Sequence, residues 1–181
     1  INIYGDPIVS STSKEPYEKM EAWRLNYHGL QARFKKTNFI LYGSVDDIWL
    51  DTKNNYLILV DYKSQANEKK VSQETYWEGD FKTSYQTQLD FYFYLLKQQN
   101  FKETISDDAY LLVVNARGLE DKFDNKLLFE STLIHTKVKD DYLENEIHEM
   151  IDVFNSHNIP ESNKLCKNCA YARQRSVIDK L

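Results

Sequence analysis

The sequence predicts an α/β domain built on a central mixed β-sheet flanked by helices, and three observations carry that prediction. Candidate elements run in the order helix, three strands, helix, two strands, helix. Apolar residues are dense and extended-looking between residues 30 and 64, then give way to a long Gly- and Pro-free run after residue 83. A length of 181 residues, 41% hydrophobic with 5 Gly and 3 Pro, suits one compact core and excludes a disordered or collagen-like chain.

Each element has a local reason. Residues 16–27 carry Tyr17, Met20, Trp23, Leu25 and Tyr27 among charges, which predicts an amphipathic helix that Gly29 ends. Residues 30–36 and 38–51 are extended runs rich in aromatic and branched side chains, closed by the turn 52–55. Residues 56–64, YLILVDYKS, read as a strand that returns against 38–51 in an antiparallel hairpin, with Asn54 and Asn55 tolerating left-handed backbone angles. A polar loop over 65–80 precedes a helix over 83–99 that is apolar nearly all round and so expected to be buried. Strands over 109–114 and 127–138 and a helix over 141–156 complete the set. No repeat or low-complexity linker interrupts the chain, so residues 1–158 are expected to form one domain and 159–181 a Cys-containing appendage.

Charge and composition narrow the function. A net charge of −5 argues against holding nucleic acid by bulk electrostatics, although Arg33, Lys35 and Lys36, Lys69 and Lys70, and Arg173 and Arg175 form local basic clusters. Each cluster reads either as a solvated face or as phosphate contacts. No apolar run is long enough to cross a bilayer and no signal-peptide pattern opens the chain, so a cytoplasmic protein without a membrane partner is expected. Cys166 and Cys169 are too few and too close for a secreted disulfide framework, which suggests a reducing compartment. The first residue is Ile1, so an N-terminally trimmed chain is expected.

The chemistry concentrates in the strand 56–64, where Asp61 and Lys63 interrupt an apolar run. Charges in such a place are rare unless paired or bound to a metal. Side-chain alternation puts both on the face of Leu57 and Leu59, opposite Ile58, Val60 and Tyr62. The partner run brings Asp46 and Asp47 across from Asp61, and alternation lets only one of the two face the same side. Gly43 leaves room for a ligand or another backbone to approach. Two converging carboxylates beside an ammonium suit a hard cation such as Mg²⁺ or Mn²⁺. A structural ion pair between Asp61 and Lys63 is the competing explanation. Elsewhere His148-Glu149 lacks the second His of a zinc-protease helix, and there is no Walker loop, nucleophile elbow or G-x-G-x-x-G. His28, His135 and His148 read as surface or packing histidines.

Gly43-Ser-Val-Asp46, Asp61-Tyr-Lys63 and Gln88-Leu-Asp-Phe-Tyr92 resemble, in order and approximate spacing, the G-x-x-D, (D/E)-x-K and Q-x-x-x-Y motifs of the PD-(D/E)XK nuclease superfamily in its RecB-like and Cas4-like branch. The resemblance implies a restriction-endonuclease-like core and a metal-dependent DNA nuclease, an exonuclease in DNA repair, recombination or phage-type DNA processing. The alternative is a catalytically degenerate module of the same fold that binds DNA or protein. Carried over by position, the resemblance makes Asp46 and Asp61 metal ligands, the Tyr62 backbone carbonyl a third oxygen and Lys63 the catalytic lysine, and it prefers Asp46 to Asp47. Gln88 and Tyr92, four residues apart, share a helix face that would help place the DNA strand.

RecB-like members also carry a His or Glu on an early helix, for which the candidates are Glu15, Glu18, Glu21 and His28. Cys166-Lys-Asn-Cys169-Ala-Tyr171 resembles the C-x-x-C-x-Y segment that holds part of an iron-sulfur cluster in Cas4-like nucleases, which use four cysteines where this chain has two. A zinc site would find only a third ligand in His157. Free thiols without a cluster are therefore expected at both positions.

Overall fold

The computed structural model describes residues 15–78, 82–117, 125, 127–158 and 160–178, with side chains in the first helix described from Met20 onward. The chain divides into two compact units, Ile1–Leu143 and Glu144–Leu181.

The first unit contains helix α1 (Glu15–Arg24), strands β1 (Leu30–Arg33), β2 (Ile40–Gly43), β3 (Asp47–Asp51) and β4 (Tyr56–Ala66), a 3₁₀ turn at Tyr76–Glu78, helix α2 (Lys82–Lys97), and strands β5 (Thr104–Arg117) and β6 (Leu128–Lys137). The main sheet runs β3-β4-β5-β6, antiparallel except for the parallel β4–β5 pair. A parallel pair needs a crossover connection, and α2 is that crossover. The α/β architecture with a mixed sheet is therefore the one expected. Helix α3 (Leu143–Asn155) and helix α4 (Lys167–Ile178) form the second unit.

The core lies between α2 and one face of the sheet. Leu57 and Leu59 of β4, Ala109, Leu111 and Val113 of β5 and Ile134 of β6 are buried with Leu89, Tyr92, Phe93 and Leu96 of α2. Fully burying a Leu, Ile, Val or Phe side chain of this set is worth about 1.5–3 kcal/mol. Alternation along β4 carries this row onward through Asp61, Lys63 and Gln65, opposite Leu111, Val113 and Asn115. The acid and the lysine thus sit where the apolar row ends.

The single strand expected over 38–51 is two strands in two sheets. β2 pairs with β1 in a separate two-stranded sheet, and only β3 joins β4, through the turn 52–55 with Asn55 at φ 57°. The hairpin is confined to Asp47–Asp51 against Tyr56–Val60. Between β2 and β3 the backbone finds its partners on α1: the Val45 N–H donates to the Trp23 carbonyl at 3.1 Å and the Ser44 hydroxyl to the Leu25 carbonyl at 3.2 Å. The last carbonyls of a helix need such donors. Gly29, at φ 59°, ends the α1 turn, its N–H donating to the Leu25 carbonyl. A Cβ there would lie 2.6 Å from the Gly43 carbonyl oxygen, so the close backbone approach occurs at Gly29.

Candidate active site

Asp46 is held in the β2–β3 break, not in mid-strand as the extended reading implied. Its carbonyl accepts from Arg24 Nε at 2.8 Å, and its carboxylate oxygen Oδ2 accepts the Tyr62 N–H at 2.7 Å. That second bond caps the edge of β4 just beyond its last pair with β3, Val60–Asp47. A strand residue's N–H and C=O leave the chain on the same edge, so the Tyr62 carbonyl emerges beside Asp46 as well.

Asp47 points elsewhere. Paired with Val60, it lies on the Val60 and Tyr62 face, where its carboxylate accepts from Arg24 Nη2 at 2.9 Å, from the Tyr62 hydroxyl at 2.6 Å and from Trp49 Nε1 at 3.3 Å. Burial and this carboxylate push the Tyr62 hydroxyl up to about 12. The two neighbouring aspartates are thus divided, and the Asp46 carboxylate, held outside the strand, is the one that interacts with Asp61.

Asp61 is 2% exposed. Lys63 Nζ lies 2.6 Å from its Oδ2, a close ion pair. Burial raises the Asp61 carboxyl above its ordinary value, the Lys63 ammonium opposes the rise, and the negative Asp46 adds to it.

Lys63 is oriented from α2. Its Nζ donates to Gln88 Oε1 at 2.8 Å, and Gln88 Nε2 donates to the Tyr92 hydroxyl at 2.9 Å. The expected pair therefore lies against the lysine, joined to it through the Gln88 amide. Burial raises the Tyr92 hydroxyl above the usual phenol range, with Asp61 and Asp46 adding to the rise against the Gln88 bond. Gly43 makes room for this ring: a Cβ there would lie 2.7 Å from Tyr92 Cε1, so a side chain fills the space, while the backbone that comes close to Gly43 is that of Gly29.

Sequence reasoning passed over three neighbours of the lysine. The Tyr85 ring lies 4.6 Å from Lys63 Nζ and 5.2 Å from Lys82 Nζ, and Lys82 Nζ sits 3.7 Å over the Tyr76 ring. The signal was available, because residues 82, 85, 88 and 92 form one helical stripe at three- and four-residue spacing. Arg24 left no such trace, since its role depends on where the β2–β3 break falls.

A family model of the PD-(D/E)XK nuclease superfamily matches residues 10–174. The chain belongs to this superfamily. No curated protein and no solved structure gives a significant match. PD-(D/E)XK nucleases act on DNA and generally use divalent metals. Two carboxylates and a strand carbonyl are hard oxygen donors of the type Mg²⁺ and Mn²⁺ take, and the Asp61 carboxyl, raised by burial and by Asp46, would be relieved by a further positive charge beside it.

Of the candidates for the early-helix position, Glu21 and His28 are both exposed. The side chains of Glu15 and Glu18 lie outside the described residues. Among the described residues no group of three His, Cys, Asp or Glu comes together. In the second unit Cys166 and Cys169 form a disulfide across the start of α4, their Cα atoms 5.3 Å apart, so the expected free thiols are paired with each other. No helix of the described residues is long and apolar enough to cross a membrane.

Proposed function

We propose that this chain is a divalent-metal-dependent deoxyribonuclease of the RecB-like type, hydrolysing phosphodiester bonds as an exonuclease in DNA processing. The observation that carries the reading is the meeting of Asp46 and Asp61 beside Lys63, with Asp61 buried and its carboxyl raised by that burial and by Asp46. The RecB-like branch rests on the Gln88 and Tyr92 motif, which in this chain is bonded to the lysine.

Asp46, Asp61 and the Tyr62 carbonyl would hold Mg²⁺ or Mn²⁺. When bound, such an ion activates water and polarises a phosphoryl oxygen. The lysine ammonium carries three donors. Asp61 and Gln88 stand against two sides of it, and the remaining N–H binds a nonbridging phosphate oxygen and stabilises the charge that develops there. Gln88 acts as a positioning residue by fixing the ammonium, and Tyr92 in turn fixes the Gln88 amide. Arg24 holds the Asp46 backbone in place from α1.

The test is cleavage of single- and double-stranded DNA with Mg²⁺ or Mn²⁺, comparing wild type with Asp61→Asn and Lys63→Ala. Each variant is expected to lose about 10²–10³-fold in kcat. Equal activity in all three rejects the assignment.

A second reading, a degenerate nuclease fold that binds DNA or protein, is favoured by the thin donor set: no third acid or imidazole joins Asp46 and Asp61 among the described residues. It predicts DNA binding that ignores divalent ions and no cleavage under any condition.

A further inference from the structure

A cleft of about 340 Å³ is lined by Gln65, Asn67, Lys69, Lys70, Tyr76 and Lys82 among others, and its Lys82 shares the Tyr85 ring with Lys63. It continues the β4 row that runs Asp61, Lys63, Gln65. Three lysines face it against one acid, Glu78, in a chain whose net charge is −5. Lys70 is paired with Glu130 at 3.2 Å, but its side chain is 70% exposed, and an exposed pair of this kind is readily exchanged for another anion.

The wall of the cleft is held by buried polar bonds. Asn115, 0% exposed, accepts from the Asn67 N–H at 3.0 Å and donates to the Asn67 carbonyl at 3.0 Å, with weaker contacts at 3.4 Å to Gln65 Nε2 and the Lys69 carbonyl. Farther along, Gln73 grips both the N–H and the carbonyl of His135 on β6, at 2.7 and 2.9 Å. A polar loop pinned at both ends to the sheet is a pre-shaped wall, which lowers the ordering cost of binding.

We propose that this cleft is a groove for one strand of DNA flanking the scissile phosphate, with Lys69, Lys70 and Lys82 neutralising its phosphates and Asn115 acting as the positioning residue of its wall. The inference rests on the nuclease reading and deepens it. The volume falls at the small end of ligand pockets, a scale that suits one strand better than two.

The experiment is fluorescence anisotropy of a labelled oligothymidylate with the full chain in EDTA, titrated with KCl. For single strands each lost phosphate contact lowers the slope of log affinity against log salt by about 0.7. The variant Lys69→Ala/Lys70→Ala/Lys82→Ala is expected to bind more weakly and to lose about 2 from that slope. Over a fourfold rise in salt, wild type then loses roughly twentyfold more affinity than the variant. Asn115→Ala, which keeps every lysine, is expected to lower the slope as well, whereas a purely structural asparagine would leave it unchanged in the folded protein. Wild-type slope and affinity in the triple variant, or no binding by wild type, overturn the groove. Cleavage assays on the same preparations separate the two claims: cleavage with unaltered slopes rejects the groove alone, and altered slopes without cleavage reject the activity alone.

Discussion

The Gln88 amide oxygen stands 2.8 Å from the Lys63 ammonium, tying the crossover helix to the strand that bears the acid. A hydrogen bond to a charged group is worth about 1.5–3 kcal/mol. If Gln88 positions the lysine, Gln88→Ala lowers kcat by roughly tenfold to a hundredfold with little change in KM. Steady-state kinetics check this, and a change confined to KM would place Gln88 on the substrate instead.

The raised Asp61 carboxyl makes a prediction about stability and pH. Its folded-state pKa lies above the unfolded value, so the ionised form is penalised by folding. Without metal that penalty is fully present above the folded pKa and is relieved as pH falls through it toward the ordinary value of 3.8. In EDTA near neutrality, Asp61→Asn should match or exceed wild type in melting temperature, and the gap should close on acidification. A variant markedly less stable than wild type would show that the Asp61–Lys63 pair is a net structural asset.

Divalent metal should reverse that order. Wild type gains stability as ion exceeds its dissociation constant, about 2.7 kcal/mol at a hundredfold excess, while Asp61→Asn gains little. Thermal melts in Mg²⁺, Mn²⁺ and EDTA read the difference. Equal responses would move the metal away from Asp61.

The two neighbouring aspartates should separate cleanly. Asp47 ties together Arg24, Trp49 and Tyr62, so Asp47→Ala is expected to cost about 1–3 kcal/mol in denaturant midpoint through the partners it strands. Asp46→Ala is expected to abolish cleavage with a smaller loss of stability. The opposite pattern would exchange their roles.

Gly43→Ala puts a methyl 2.7 Å from the Tyr92 ring. Overpacking of this kind costs about 1–3 kcal/mol, and the ring can yield only by dragging its bond to Gln88. Lower stability and lower activity should therefore appear together. Loss of stability alone would uncouple Tyr92 from the site.

Elements with strong local periodicity were legible in the sequence. The helix expected over 83–99 is observed at Lys82–Lys97, and β6 and α3 fall within a few residues of their expected bounds. β5 was expected from residue 109 but starts at Thr104, because Thr104 and Ile105 pair with Tyr56 and Leu57 while the intervening Ser106, Asp107 and Asp108 read locally as loop. The loop over 65–80 looked merely polar, yet Val71 and Tyr76 are buried and a 3₁₀ turn forms at Tyr76–Glu78. Helix α4 lies in what was expected only to be a Cys-containing appendage.

By itself the sequence determined the spacings: the two-residue step from Asp61 to Lys63 along a strand and the four-residue step from Gln88 to Tyr92 along a helix, each of which sets a shared face through backbone geometry alone. Tertiary structure decided which aspartate meets Asp61, because the chain leaves the sheet at residues 44–46 to satisfy carbonyls at the end of α1, some twenty residues earlier. It also decided that the Gln88 amide meets the lysine, since that contact depends on how α2 lies across β4. Periodicity is written in neighbouring residues, whereas the choice of a hydrogen-bond partner belongs to the packed whole.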